Sequence, residues 1–206
     1  MDETLSYIHR FEKGAEPNAR PLLLLHGTGG DENDLLPFGR MIAPTAPLLS
    51  PRGKVLENGM PRFFRRFAEG VFDEEDVRRR ALELADFIAE AQARYGISDP
   101  IALGYSNGAN IAAAMLLVRP DALAGAILLR AMIPLSQTPP VDLTGKPILI
   151  NSGRMDPIIP PENAARLASL LEQHGAVVEH RILPSGHELS QADVSLAQTW
   201  WQAQRK

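Results

Sequence analysis

No cysteine occurs anywhere in the sequence. That excludes disulfide staples, thiolate metal sites and a cysteine nucleophile at once. Charge of one sign is also missing. Lysine and arginine number 21 against 25 aspartate and glutamate, a formal net charge of −4, so no global field is offered to nucleic acid or an anionic membrane. Long hydrophobic runs are absent too. The longest purely apolar stretch, Ile111 to Val118, falls far short of a membrane span. The start, Met1-Asp2-Glu3-Thr4, lacks the basic opening and apolar core of a secretory leader. These absences lead us to expect a cytoplasmic protein without a membrane span and without nucleic-acid partners.

What is present is ordinary globular material. Hydrophobic residues make up 45% and charged residues 22% of 206 positions, enough to bury a sizeable core, and no linker, repeat or low-complexity tract divides the chain. We expect a single domain over residues 1–206. Short apolar runs alternate with segments of helical period, the pattern of a mostly parallel sheet covered by helices. Strands are expected at Leu22–His26, Pro47–Ser50, Ile101–Tyr105, Ala126–Leu129, Ile148–Asn151 and Val177–Leu183. With an edge strand within Leu5–Phe11, the sheet has about seven.

The expected helices are Asp73–Tyr95, Asn107–Val118, Glu162–His174 and Glu188–Gln204, with a short one over Asp31–Ile42 capped by Asp31. The first carries four acidic residues in its opening turn and Gly96 at its end, as the helix dipole and a left-handed cap favour. Arg78–Arg80 beside that acidic turn reads as solvated surface. Pro51–Val71 interrupts the alternation and reads as a long connection, a length often associated with function.

Gly104-Tyr105-Ser106-Asn107-Gly108 fits a nucleophile elbow, with an apolar strand before it and a small-residue helix behind. Serine needs a base. Among five histidines, His187 in Pro184-Ser185-Gly186-His187-Glu188 follows the last strand and would open at the sheet's C-terminal edge. Asp156 follows the preceding strand in the same manner, and the order Ser106, Asp156, His187 is that of an α/β-hydrolase triad. Oxyanion donors would be the backbone N–H groups of Asn107 and Thr28, the latter in His26-Gly27-Thr28-Gly29-Gly30-Asp31, where His26 reads as a brace.

Two competing readings fail. The glycine run lacks the lysine of a phosphate-binding loop, and Asp31, Glu32 and Asp34 lack the spacing of a calcium loop. No cofactor and no metal is expected.

These motifs, with Asp156-Pro157-Ile158-Ile159-Pro160 and Gly186-His187-Glu188, resemble the phospholipase/carboxylesterase family of α/β-hydrolases. The likeness is to acyl-protein thioesterases, and especially to their small bacterial carboxylesterase branch. The resemblance implies an α/β-hydrolase fold with no large lid domain and metal-free hydrolysis of carboxylic esters. It also implies Ser106 as nucleophile, His187 as base, Asp156 as orienting acid and Thr28 with Asn107 as oxyanion donors. Where thioesterases carry glutamine and a further glycine, this chain has Asn107, Gly108 and Ala109, which bears on lipidated proteins against small esters. The substrate expected is a small-molecule ester of short to medium chain. Met60, Phe63, Phe64, Met132, Ile133 and Ile158 are expected to line an apolar acyl pocket. Protein thioesterase or lysophospholipase activity is the enzymatic alternative, and noncatalytic ligand binding on the same fold is the alternative of another class. A homodimer is the assembly such relatives commonly form.

Overall fold

The computed structural model describes residues 5–204, so the Met1–Thr4 stretch read for a leader lies outside the described residues. Within them no helix is long and apolar enough to cross a membrane.

Seven strands form the central sheet: β1 (His9–Glu12), β2 (Leu22–Leu25), β3 (Leu48–Pro51), β8 (Ile101–Tyr105), β9 (Gly125–Leu129), β10 (Pro147–Gly153) and β11 (Val177–Leu183). Their order is β1-β3-β2-β8-β9-β10-β11, and only β1 runs antiparallel to its neighbour. The inner strands are continuous apolar runs because both of their faces are covered. In β2, Leu23 and Leu25 enter one core while Leu22 and Leu24 enter the other. Helices α2 (Glu74–Tyr95), α3 (Asn107–Val118) and α4 (Pro161–Gln173) supply the first core. Helices α1 (Leu36–Ile42) and α5 (Gln191–Ala203) supply the second, where Trp200 and Trp201 are packed.

Helix α2 starts as its sequence dictates. The Asp73 side chain accepts the Asp76 N–H, acidic residues fill the first turn, and Gly96 closes the helix at φ 66°. The arginine triplet behind it is not simply solvated. The Asp76 side chain is fully buried and pairs with Arg79 and Arg80, and Arg80 keeps only 18% of its side chain exposed. A buried carboxylate at the helix start recruits these arginines, because a charge out of water must be paired.

Three further expectations need correction. Asp31 does not cap α1, which begins at Leu36. Its carboxylate instead accepts the Asn33 N–H in a local turn. The last helix starts at Gln191, with Ser190 and Asp193 closing a capping box. Residues 51–71 are not a bare connection: they hold two hairpins, β4 (Val55–Glu57) with β5 (Met60–Arg62), and β6 (Arg66–Ala68) with β7 (Val71–Phe72). Asn58 and Gly59, both at positive φ, form the first turn, as an Asn-Gly hairpin requires. This excursion is the largest element near the strand ends, and no lid domain occurs among the described residues.

Candidate active site

The parallel strands deliver one polar side chain after another at their C-terminal ends: Thr28 beyond β2, Ser106 after β8, Arg130 after β9, Asp156 beyond β10 and His187 beyond β11. Open α/β sheets bind ligands at this edge.

Ser106 sits between β8 and α3 at φ 53° and ψ −112°, a conformation that costs a side chain energy. Its N–H donates to Leu129 O, which anchors the turn to the next strand. The flanking glycines are required sterically. A Cβ at Gly108 would lie 1.9 Å from Leu25 O, and one at Gly104 would lie 2.4 Å from Gly108 O. Helix α3 therefore crosses the sheet at a separation that only glycine permits.

The three expected residues meet. His187 Nε2 lies 2.9 Å from Ser106 Oγ, and His187 Nδ1 lies 2.8 Å from Asp156 Oδ2. A carboxylate can only accept, so Nδ1 carries the proton and Nε2 is left to accept from the serine. The Asp156 side chain is 1% exposed, and its other oxygen accepts the N–H groups of Ile158 and Ile159 at 2.8 and 3.0 Å. The carboxylate is thereby held while its free lone pairs face the histidine.

The loop after β2 borders the same cleft through Thr28. Gly29 donates to Pro61 O and Gly30 to Gly27 O, whereas Thr28 N–H has no acceptor among the described residues. Asn107 is the first residue of α3, where backbone N–H groups have no intrahelical acceptor. His26 braces this loop as expected. Its Nδ1–H donates to Gly27 O at 2.6 Å and its Nε2 accepts the Gly53 N–H at 2.9 Å. Burial holds its pKa below the usual histidine value, in keeping with a neutral ring that must accept. Two acids of the cluster face Arg52, which forks onto Glu32, holding that carboxyl below its ordinary range, and lies 3.9 Å from Asp31.

The cleft beside Ser106 encloses about 240 Å³. Met132 and Ile158 line it as expected, but the other four do not. Phe63 and Phe64 are 2% and 0% exposed: Phe63 packs at a tilt against the His26 ring and Phe64 packs edge-on against Phe72, so both belong to the core. Met60 lies exposed on its hairpin, nearest Gly29. Ile133, whose N–H donates to Asn163, borders a neighbouring depression of about 730 Å³ that meets the cleft at Gly70 and Met132. In their place stand arginines that sequence reading missed. Arg62, with a side chain 3% exposed, and Arg66 both line the cleft.

Arg130 was missed as well. Fully buried and at φ 57°, it donates to Gly186 O, Ser185 Oγ and Glu188 O at 2.9–3.0 Å, fixing the loop around His187, and forks onto Asp193. Its one signal in the sequence is a lone charge after the apolar run Ala126–Leu129.

Sheet order, the strained serine turn and the positions of Asp156 and His187 define an α/β-hydrolase. Residues 8–204 match the phospholipase/carboxylesterase family, and the chain belongs to it. The putative hydrolase MhqD of Bacillus subtilis is 47% identical over 195 residues, covering 94% of this chain and 96% of that protein. A carboxylesterase from Bacillus cereus superposes with a TM-score of 0.94 at 44% identity, covering 96% of this chain and 94% of that one. A carboxylesterase from Mesorhizobium loti does so at 0.91 and 36%, covering 96% and 95%. Carboxylic ester hydrolysis is the activity this membership supports.

Proposed function

We propose that the protein is a serine carboxylesterase for small esters, acting through an acyl-enzyme on Ser106. The observation that carries this reading is the continuous relay from Asp156 Oδ2 through His187 to Ser106 Oγ. His187 takes the serine proton as Oγ attacks the ester carbonyl, and the oxyanion is held by the N–H groups of Thr28 and Asn107. His187 then returns the proton to the leaving alcohol. Water enters, gives up a proton to His187, attacks the acyl carbon and releases the acid with Ser106 restored.

Substrate size follows from the cleft. Its volume of about 240 Å³ lies below the roughly 300–1,000 Å³ typical of sites for drug-sized ligands, which supports short chains. A thioesterase or lysophospholipase reading is favoured by one feature, the adjoining depression that a longer acyl chain would occupy. The complete relay argues against a noncatalytic binding role.

Hydrolysis of p-nitrophenyl esters from acetate to palmitate tests these readings. Short esters are expected to turn over fastest, and Ser106→Ala to lower kcat by about 10⁶-fold, as loss of the nucleophile does in serine proteases. Asp156→Asn is expected to cost about 10⁴-fold, because the histidine then adopts the wrong tautomer. Rates that rise toward palmitate would favour the thioesterase reading. Activity that survives Ser106→Ala would remove the serine assignment.

A further inference from the structure

The polar groups of the cleft are out of balance. Three of its side-chain acceptors are already occupied: Thr28 Oγ1 takes Arg62 Nη1–H at 2.5 Å, Asn107 Oδ1 takes the Phe63 N–H at 2.7 Å, and Asn110 Oδ1 takes the Met132 N–H at 2.9 Å. A donor is left over: Arg62 lines the cleft, and its Nη2 has no acceptor among the described residues. Asn107 Nδ2 is also without a partner, but it is sealed off from the cleft. A guanidinium hydrogen that meets no protein acceptor is free to take one from a ligand.

Charge is out of balance in the same direction. Arg66 forks onto Glu57 through Nε and Nη2 at 2.7–3.1 Å, while Arg62 Nε reaches the same carboxylate at 3.3 Å and donates to Phe64 O. One carboxylate thus serves two guanidinium groups. Burial, with Arg66 adding to it, pulls the Arg62 pKa down to about 10, still cationic at neutral pH. Glu69 also borders the cleft, but it is exposed, where water and salt screen its charge. The end of the cleft around Glu57 thus keeps about one uncompensated positive charge, while the Asp156 carboxylate lies behind His187.

We propose that the cleft takes esters carrying a second, ionised carboxylate, such as half-esters of short dicarboxylic acids, with Arg62 and Arg66 holding that carboxylate while the ester carbonyl lies at Ser106. This deepens the serine carboxylesterase reading and rests on it. The apolar share of the lining, Met132, Ile158 and Ile159, suffices for the few methylenes between the two groups. Recognition by arginine suits a carboxylate, whose two oxygens match the guanidinium geometry.

The test compares monoethyl succinate with ethyl butyrate, esters of equal acyl length that differ in charge. The wild type is expected to prefer the acidic ester in kcat/KM by about ten-fold or more, the size of one charge-assisted hydrogen bond. Two variants move this ratio in opposite directions. Arg66→Gln leaves Glu57 to neutralise Arg62 alone, and the ratio is expected to fall toward one. Glu57→Gln removes the compensating charge, and the ratio is expected to rise, which damage to the fold would not produce.

Calorimetric binding of succinate, which needs no turnover, separates this inference from its parent. Succinate is expected to bind the wild type and to bind Arg66→Gln at least about ten-fold more weakly. A wild-type ratio near one without succinate binding overturns the carboxylate assignment and leaves the esterase reading standing. Turnover of neither ester while succinate binds leaves the cleft assignment standing and removes the serine mechanism. Turnover of neither without binding removes both.

Discussion

Arg130 and Asp193 form a forked ion pair with no exposed surface, Nη1 to Oδ1 and Nη2 to Oδ2, both at 2.9 Å. The pair joins the end of β9 to the first turn of α5, and Arg130 donates its remaining hydrogens to Asn151 O and to the segment that carries His187. Asp193 in turn accepts from Ser190 N, Ser190 Oγ and Asn151 Nδ2. His187 therefore owes its position to a buried ionic scaffold as well as to Asp156.

Replacing Arg130 by methionine keeps much of the volume but leaves Asp193 buried and alone. Denaturant unfolding is expected to show a loss of about 3–5 kcal/mol, the usual cost of orphaning one partner of a buried pair. Arg130→Lys restores the charge without the fork. It is expected to recover part of the stability while kcat stays low and KM changes little, because the histidine loop loses its donors. A kcat equal to wild type in a folded Arg130→Lys would show that the loop holds its place unaided.

The same pair sets a pH dependence. Burial alone would raise the Asp193 pKa, but hydrogen bonds from Arg130 and Ser190 outweigh it and hold the carboxyl below its ordinary value. The unfolded chain then binds this proton more readily, so the stabilisation is complete above about pH 4 and is lost as pH falls through the folded value. Asp193→Asn is expected to lower stability at neutral pH and to flatten the acid limb of a plot of unfolding free energy against pH. An unchanged acid limb would assign that titration to other carboxyls.

Ser106 supplies a third test. Holding a non-glycine residue at φ 53° and ψ −112° costs on the order of 1–3 kcal/mol, whereas the extra freedom of glycine in the unfolded chain costs about 0.5–1 kcal/mol. Strain is the larger quantity. Ser106→Gly is therefore expected to unfold about 1 kcal/mol later than wild type while losing hydrolysis. A destabilised Ser106→Gly would mean that the hydroxyl's bond to His187 outweighs the strain.

The meeting of Ser106, Asp156 and His187 could be read from the chain because each follows a recognisable strand and the serine has glycines where α3 crosses β2. The pocket could not. Phe63 and Phe64 are apolar residues after β5, and nothing in their spacing says that they turn under the sheet against His26 and Phe72 while Arg62 turns toward Ser106. Hydrophobicity ranks burial, yet Arg62 takes its direction from register with β4, and Phe63 and Phe64 take theirs from the bend that separates the two hairpins. Arg130 was hidden for a related reason: its meaning depends on Asp193, 63 positions away, and on carbonyls of a loop whose path only packing decides. Asp31 read as a helix cap, and neither its local turn nor the pairing of Asp31 and Glu32 with Arg52 could be seen in the spacing.

The strands that deliver Thr28, Ser106, Arg130, Asp156 and His187 do so in the order in which a ribosome would make them. Ser106 is thus made well before His187, and Asp193, which neutralises Arg130, comes later still. Until α5 is in place Arg130 lacks its ionic partner and the segment around His187 lacks the scaffold that holds it. On the proposed mechanism, esterase activity is therefore expected to appear only when the last helix has docked.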